Sequence, residues 1–518
     1  FMIFRYIGFH ISLLAISSLL FFSGCNEVLE DTTPEADKVD STETTIGDIT
    51  EIFMSRTIPV EGYGLVGGLS GTGSTECPPS VRSYLSKYIR RKLPADISPD
   101  ELIGSKDTAV VKITALMPAT NSRNEIFDVR IDALQQTQST SLKNGWLYKT
   151  ELKPAGNIQS VTNILANAQG PVFLDLITPE KKLTSGFVLG GGKVLRDFKI
   201  NLALRKPDYK TASLIRNRIN ERFGKSTAKS MSPSQITLTV PDSYRNEKNR
   251  FVDMIKSVYL VKNSGLTRNR IRRLIRTLAV SDKKYESEIS LETIGSDSRE
   301  KLSALLNSSN ELVRFHAARC MLKLGGYEGY EVLREIVLNP DSSLRIKALK
   351  TITASARKPD ARATARTMLK DDDVNTVLAA YKQLRKLSDI TIVSRKIAKS
   401  FRLEQIFQTK HRLIYASRRK EPVIAMFGGP LYIKEDIFVE SDDGSITINA
   451  LKGENKATII YKPPQLKGKL IKLESSFNLK DVVRLLGENP SRKGGGLGIS
   501  YSVIINFLNK MCESEAVN

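Results

Sequence analysis

The sequence is poor in the side chains that carry most metal and covalent chemistry. Its 518 residues include three histidines (His10, His316, His411) and four cysteines (Cys25, Cys77, Cys320, Cys512). They lie too far apart for a local cluster with metal-ligand spacing, which argues against a zinc site. Tryptophan occurs once, as Trp146, and aromatics make up only 7% of the chain. No Walker lysine is present, because Gly192-Lys193 runs into Val194. Hydrolase signatures are missing or bare: Gly68-Leu-Ser70-Gly71 is one residue short of G-x-S-x-G, and Ser226-Thr-Ala-Lys229 has the S-x-x-K spacing without companion motifs. No convergent set of acids, bases and nucleophiles emerges, so the expectation is a protein that is not an enzyme and binds no cofactor. What the chain does have is ordinary globular composition, 41% hydrophobic and 26% charged, with a net charge of +22. That excludes a disordered or collagen-like chain and predicts about three domains with acidic partners.

The first residues read as an address. Arg5 is the only charge before the apolar run Ile11–Phe22, which ends in Ser23-Gly24-Cys25. The run is short for a spanning helix and matches a secretory signal. Phe22-Ser23-Gly24-Cys25 resembles a bacterial lipobox, which implies cleavage of a lipoprotein signal peptide over 1–24. Cys25 would then carry the lipid that anchors the chain in the periplasm, on the outer membrane. Two or more acyl chains would hold stably where one would not. Residues 26–50 hold eight acids against one base, with little apolar pattern. Such a stretch stays solvated and extended, and 25–45 is expected to be an acidic tether. The disulfide state of Cys77, Cys320 and Cys512 stays open.

From Ile46 to Lys262 the pattern is α+β. Val110–Leu116, Glu125–Ile131, Phe198–Leu204 and Gln235–Val240 alternate like half-buried strands, and Tyr209–Phe223 is the one helix expected among them. Gly62-Tyr63-Gly64-Leu65-Val66-Gly67 spells G-x-G-x-x-G. It continues into Gly68-Leu69-Ser70-Gly71-Thr72-Gly73, which cannot open a helix, so a dinucleotide site is excluded. The glycines are expected to serve tight turns and close backbone approach.

This glycine run is followed in order by Leu116-Met-Pro118-Ala119, Phe127-Asp-Val129, Ser141–Leu147, Ala168-Gln-Gly170-Pro171, Gly190-Gly-Gly192, the helix to Phe223 and Val240-Pro241. The series over residues 46–262 resembles the bacterial flagellar P-ring protein family. The resemblance implies a structural, motility-related basal-body component in the periplasm. It would form a homo-oligomeric ring around the rod at the peptidoglycan layer, beside the L-ring. It implies no catalytic residues; Gly62, Tyr63, Gly64, Leu65, Gly68, Leu69, Gly71, Thr72 and Gly73 carry over only as a structural motif.

Residues 263–411 read as helical. Val313-Arg314-x-x-Ala317 recurs at an offset of 31 as Leu344-Arg345-x-x-Ala348, then in degraded form as Val374-Asn375-x-x-Leu378. Asn310, Asp341 and Asp371–Asp373 are expected N-caps. Helix pairs of about 30 residues look like HEAT-type repeats, which implies a solenoid with an exposed concave face. Cys320 is expected to be a buried hydrophobe and His316 a satisfied side chain. The entry to this region carries Arg268, Arg270, Arg272, Arg273 and Arg276 without an acid. Stacking aromatics are absent, so nucleic acid is not the expected partner. These arginines are candidate contacts for peptidoglycan carboxylates or another anionic envelope component.

Residues 412–518 read as a small α+β domain, with strands around 422–427, 445–451, 457–461 and 469–473 and a turn at Asp442-Asp-Gly444. Helices are expected over 478–486 and 501–510, separated by a basic loop at 492–496. The expected architecture is therefore multidomain: an α+β P-ring-like domain, an α-helical HEAT-like solenoid, then a small α+β domain.

Overall fold

The structure is a computed structural model that describes residues 42–518, apart from 54–56, 93–96, 119–122, 157–162, 178–181, 198, 399, 464–467 and 491–494. The signal sequence, Cys25, most of the acidic tether, Ala119, Phe198 and the start of the 492–496 loop lie outside the described residues.

A short helix α1 (Ile46–Ile49) and strand β1 (Thr50–Phe53) lead into β2 (Thr57–Gly67), which begins a closed barrel. Helices α2 (Pro79–Lys92) and α3 (Pro99–Ile103) follow, then β3 (Thr108–Pro118), β4 (Ile126–Ala133), β5 (Trp146–Pro154), β6 (Ala166–Pro171) and β7 (Ser185–Val194). Strands β2-β3-β4-β7-β6-β5 close on themselves, every pair antiparallel. Closure removes the exposed edges an open sheet would leave. Alternation along β3 shows how the two faces are used. Ala109, Val111 and Ile113 join the main core, while Val110 between them packs under α2 with Val81, Leu85 and Ile89. Helix α2 was not expected from the sequence. Its apolar stripe is only three residues at spacing four, enough to cover one barrel wall but weak as a local signal.

Strand β8 (Ile200–Leu204), helix α4 (Tyr209–Phe223), β9 (Ala228–Ser230), β10 (Gln235–Leu238) and α5 (Lys248–Lys256) form the next layer. The sheet order is β1-β8-β10-β9. Helix α4 keeps its expected bounds. Asp208 caps it by accepting from Thr211 N at 2.7 Å, and Gly224 ends it at φ 108°. Ala212, Ile215 and Ile219 bury its inner face against Leu202, Ile236 and Phe251. Burial of an Ile, Leu or Phe side chain contributes about 1.5–3 kcal/mol, so a few such residues suffice to hold α4 on its sheet.

Eight helices follow: α6 (Ser264–Val280), α7 (Lys284–Ile294), α8 (Arg299–Ser303), α9 (Glu311–Lys323), α10 (Glu328–Leu338), α11 (Arg345–Ser355), α12 (Lys358–Thr367) and α13 (Val374–Lys386). Consecutive helices pack in pairs, and α11 also touches both α9 and α13. Asn310 caps α9 and Asp373 caps α13 through their side chains. Asp341 caps nothing, because α11 starts only after Leu344.

The helices end at Lys386, not near His411. Strands β11 (Ile392–Ile397) and β12 (Phe401–Ile406) occupy the segment expected to be helical. Their partner explains the difference: β12 runs parallel to β14 (Val423–Phe427), a pairing no local pattern announces, with β13 (Leu413–Ala416) on the far side. A second sheet contains β15 (Ile437–Glu440), β16 (Ile446–Ala450), β17 (Ala457–Tyr461) and β18 (Ile471–Ser475), and helices α14 (Leu479–Gly487) and α15 (Tyr501–Glu513) close the chain.

Residues 412–518 do not form a core of their own. All five residues of β14 are buried. Val423, Ala425 and Phe427 face the helices, while Ile424 and Met426 face a core continuous with the barrel interior. Within that core Tyr501 of α15 joins the barrel to the C-terminal sheet, 6.0 Å from the Phe173 ring and 5.5 Å from Phe401 of β12.

Candidate functional site

The glycine motif is barrel architecture. Gly62 and Gly64 lie on the face of β2 that shares Val60 and Val66 with the core. A Cβ at Gly62 would stand 2.5 Å from the Glu151 carbonyl oxygen, and one at Gly64 2.4 Å from Thr150 Oγ1. The neighbouring wall, β5, therefore approaches too closely for any side chain. On the other face Tyr63 and Leu65 pack beneath α2. After β2 the chain turns through Gly68 (φ 78°), Ser70 (φ 51°) and Gly71 (φ 84°). Gly71 N donates to Asp107 at 2.7 Å, and Thr72 Oγ1 to the Leu69 and Ser141 carbonyls, each at 2.8 Å. Leu69 is buried, and Gly73 passes so close to Thr108 that a Cβ would fall 1.9 Å from its carbonyl oxygen. Glu61, also on β2, accepts from Gly156 N at 2.7 Å and pairs with Lys112 at 3.1 Å. Burial opposes its ionisation, but those two partners outweigh burial and hold its carboxyl below the usual range.

The other motifs meet one another. Gly192 lies flat against the Phe127 ring, where a Cβ would stand 2.6 Å from the nearest ring carbon. Between Phe127 and Val129 the β4–β7 register slips. Asp128 fills the irregularity by accepting from Gly190 N at 2.7 Å and from Lys420 N at 2.8 Å. Gly145 of the Ser141–Leu147 turn abuts Val66 and Leu69. The motif series thus marks where the barrel closes, bulges and meets the C-terminal strands.

The five arginines of α6 do not act together. Arg270 is buried, stacks 3.9 Å from the Tyr259 ring centroid, and donates to Glu43 at 3.1 Å, to the Val261 carbonyl at 2.9 Å and to the Thr42 carbonyl. Arg273 also binds Glu43. Two of the five therefore pin the chain's entry segment. This corrects the tether boundary: residues 42–45 fold onto the body, with Thr45 bridged to Tyr259 and Leu260 N donating to the Thr44 carbonyl. Arg268, Arg272 and Arg276 are exposed and have no carboxylate partner among the described residues. Their spacing of four sets them along one side of α6, over about 12 Å at a rise of about 1.5 Å per residue.

Sequence reasoning missed a buried charge cluster that joins α5 to the helices. Glu288 is fully buried. It binds Arg250 of α5, accepts from Arg319 Nε at 2.7 Å, and lies 2.6 Å from His316 Nδ1. Arg250 Nε also donates to Glu292 at 2.9 Å. Burial alone would raise the Glu288 pKa, but Arg250, His316 and Arg319 outweigh it and hold the carboxyl far below the ordinary range. The available signal was Glu288 and Glu292, four apart on the buried side of α7 beside Ile289 and Leu291. His316 is satisfied by this cluster, and Cys320, fully buried beside it, has its thiol pushed well up by burial. Cys77, Cys320 and Cys512 are free thiols. Among the described residues no group of three or more His, Cys, Asp or Glu converges as a metal site, and no helix is long and apolar enough to cross a membrane.

A family model described as Flagellar P-ring protein matches residues 45–269, from the start of α1 into the first turns of α6. The flagellar P-ring protein of Thermotoga maritima is 30% identical over 235 residues, 42% of this chain and 67% of its own length. That of Aliarcobacter butzleri is 31% identical over 242 residues, covering 45% and 62% of the two chains. That of Helicobacter pylori is 28% identical over 207 residues, covering 38% and 57%. The matched segment contains the whole barrel, the β1-β8-β10-β9 sheet and every motif of the series. By that barrel, those motifs and those relatives, the chain belongs to the flagellar P-ring protein family.

Proposed function

We propose that the chain is a structural, ring-forming or ring-associated part of the flagellar basal body. It would surround the rod in the periplasm at the peptidoglycan layer, next to the L-ring, and be held to the outer membrane through lipid on Cys25. The observation that carries this reading is the match over residues 45–269, which spans the whole barrel. The role is architectural rather than catalytic: the motif residues are spent on backbone approach and barrel closure. Helices α8 to α13 are read as HEAT-like pairs that give this chain a docking surface for neighbouring basal-body proteins. Exposed Arg268, Arg272 and Arg276 are read as the contact with an anionic envelope component such as peptidoglycan carboxylates.

A second reading is favoured by the 249 residues that follow the matched segment. An envelope-anchored scaffold lipoprotein could reuse the P-ring-like fold outside the flagellum. A deletion strain separates the two: non-motile cells with defective basal bodies support the flagellar reading, and normal swimming with intact basal bodies overturns it. For the arginine contact, binding to isolated cell-wall sacculi should weaken with salt, since exposed charges are screened over about 8–10 Å at physiological ionic strength. Salt-independent binding would overturn it.

A further inference from the structure

Where the helices, the β11-β12-β14-β13 sheet and the barrel meet, a cleft of about 850 Å³ opens. Its walls come from α11 and α13, from the 388–389 turn, from β11, β12 and β13, from the 417–421 loop and from Ile126 at the start of β4. The cleft is strongly and unevenly basic. Three carboxylates reach it, but each is already engaged. Glu404 accepts from Tyr381 Oη at 2.6 Å and from Arg385 Nε at 3.0 Å. Glu421 pairs with Arg385 at 2.9 Å. Asp389 pairs with Arg366 at 2.9 Å and accepts from the Thr391 hydroxyl at 2.7 Å.

That leaves Lys350, Lys382, Lys386, Arg419 and Lys420 lining the cleft with no carboxylate partner among the described residues. Lys382 instead holds its ammonium 5.4 Å above the Tyr415 ring. The five cations come from three separate parts of the chain: Lys350 from α11, Lys382 and Lys386 from α13, and Arg419 and Lys420 from the loop before β14. The loop is held in place by the Asp128 carboxylate, which accepts from Lys420 N at 2.8 Å. Lys420 itself sits at φ 57°. The convergence is therefore built by the tertiary fold rather than by a basic run in sequence.

We propose that this cleft is a binding site for a compact organic polyanion, one that carries several phosphate or carboxylate groups. Like charges gathered without counter-charges repel one another and oppose the compact state, and a multivalent anion relieves that repulsion at all of them together. The Lys386 ammonium registers the strain: burial, then Lys350 and Lys420, push its pKa down. The volume is far beyond the roughly 30 Å³ share of one water or small ion and falls in the range of small-molecule sites, about 300–1,000 Å³. A recess with cations on opposing walls also suits a discrete molecule better than a flat membrane surface. Gln383, Ser388, Ser394 and Ser417 add polar groups along the same walls. Lysines act as point charges and discriminate little between the two anion types, so phosphate and carboxylate must be told apart by experiment.

The test is isothermal titration of the full chain with inositol hexakisphosphate and with citrate at 50 mM salt. The expected result is saturable one-to-one binding of at least one probe. Hexakisphosphate alone assigns a phosphorylated ligand, and citrate alone a polycarboxylate. Lys350→Gln, Lys386→Gln and Lys420→Gln should each weaken binding about tenfold, the size expected for one charge-assisted contact. Arg272→Gln, on α6 and outside the cleft, should leave it unchanged. None of the four side chains holds a salt bridge among the described residues, so every variant should stay folded, with the cleft variants melting at or slightly above wild type as repulsion is relieved, and the same probe should raise the wild-type melting temperature more than that of Lys386→Gln. Absence of binding by both probes overturns the proposal, as does a loss in Arg272→Gln equal to that in Lys386→Gln.

Discussion

The buried Glu288 cluster gives the sharpest handle on how the barrel-bearing half of the chain is joined to its helices. Replacement of Glu288 by glutamine keeps the shape and removes the charge. Arg250 is 8% exposed at its side chain and Glu288 is fully buried, so water cannot take over the lost interaction. Removal of one partner from a buried ion pair costs about 3–5 kcal/mol. Arg250 retains Glu292, and the glutamine oxygen still accepts from Arg319 or His316, which places the expected loss near the lower end, about 3 kcal/mol. A loss of that size is about a hundredfold in an opening equilibrium. It should appear as faster hydrogen exchange at the amides of α5, α7 and α9, since proteins of this size open in parts. The exposed Glu300→Gln, which loses only a surface contact with Lys301, should change nothing measurable. The pH dependence adds a second test. The folded pKa of Glu288 lies below its unfolded value, so its contribution is complete above about pH 5 and is lost as pH falls below about 4.3, the ordinary glutamate value. The gap between wild type and Glu288→Gln should therefore be widest near neutrality and narrow with acid. A gap under about 1 kcal/mol at pH 7, against the expected cost of breaking a buried pair, would refute the reasoning. So would a gap of the same size at pH 3.

Further outcomes follow from the same geometry. Gly73→Ala would set a Cβ 1.9 Å from the Thr108 carbonyl oxygen. The backbone must move, so loss of soluble, folded protein is expected in expression and circular dichroism, whereas Gly71→Ala meets no atom within 4 Å and suffers only from its positive φ. Arg270→Ala removes the stack on Tyr259 and the bonds to Glu43 and Thr42. It should destabilise by about 2 kcal/mol and speed limited proteolysis near residue 43, while Arg272→Ala should do neither. Asp128→Ala leaves the Gly190 and Lys420 amides without their acceptor, at a cost of about 1–3 kcal/mol, and should speed cleavage after Lys420.

The sequence made local features legible and long-range ones not. Helix α4 was legible over its full length from its one-sided apolar spacing, and β3 showed its two faces by alternation. Asn310 and Asp373 were readable caps because side chain and helix start are neighbours. Barrel closure was not legible, since period-two alternation names faces but not partners. Strands β11 and β12 read locally as helix because β12 depends on β14, with Arg402 paired opposite Val423. The glycine motif was read as close backbone approach, but the approaching wall, β5, lay more than eighty residues away. The arginine run could not show that Arg270 points inward to Glu43 while Arg272 points outward. The lysine cleft had no sequence signature, because its five cations come from three segments.

The proposed function is strongest if copies of this chain themselves close into a ring around the flagellar rod. Electron microscopy of the purified full chain tests it most directly. Closed rings of uniform diameter, assembled from copies of the chain, are expected. Monodisperse single particles at every concentration would overturn self-assembly into a ring.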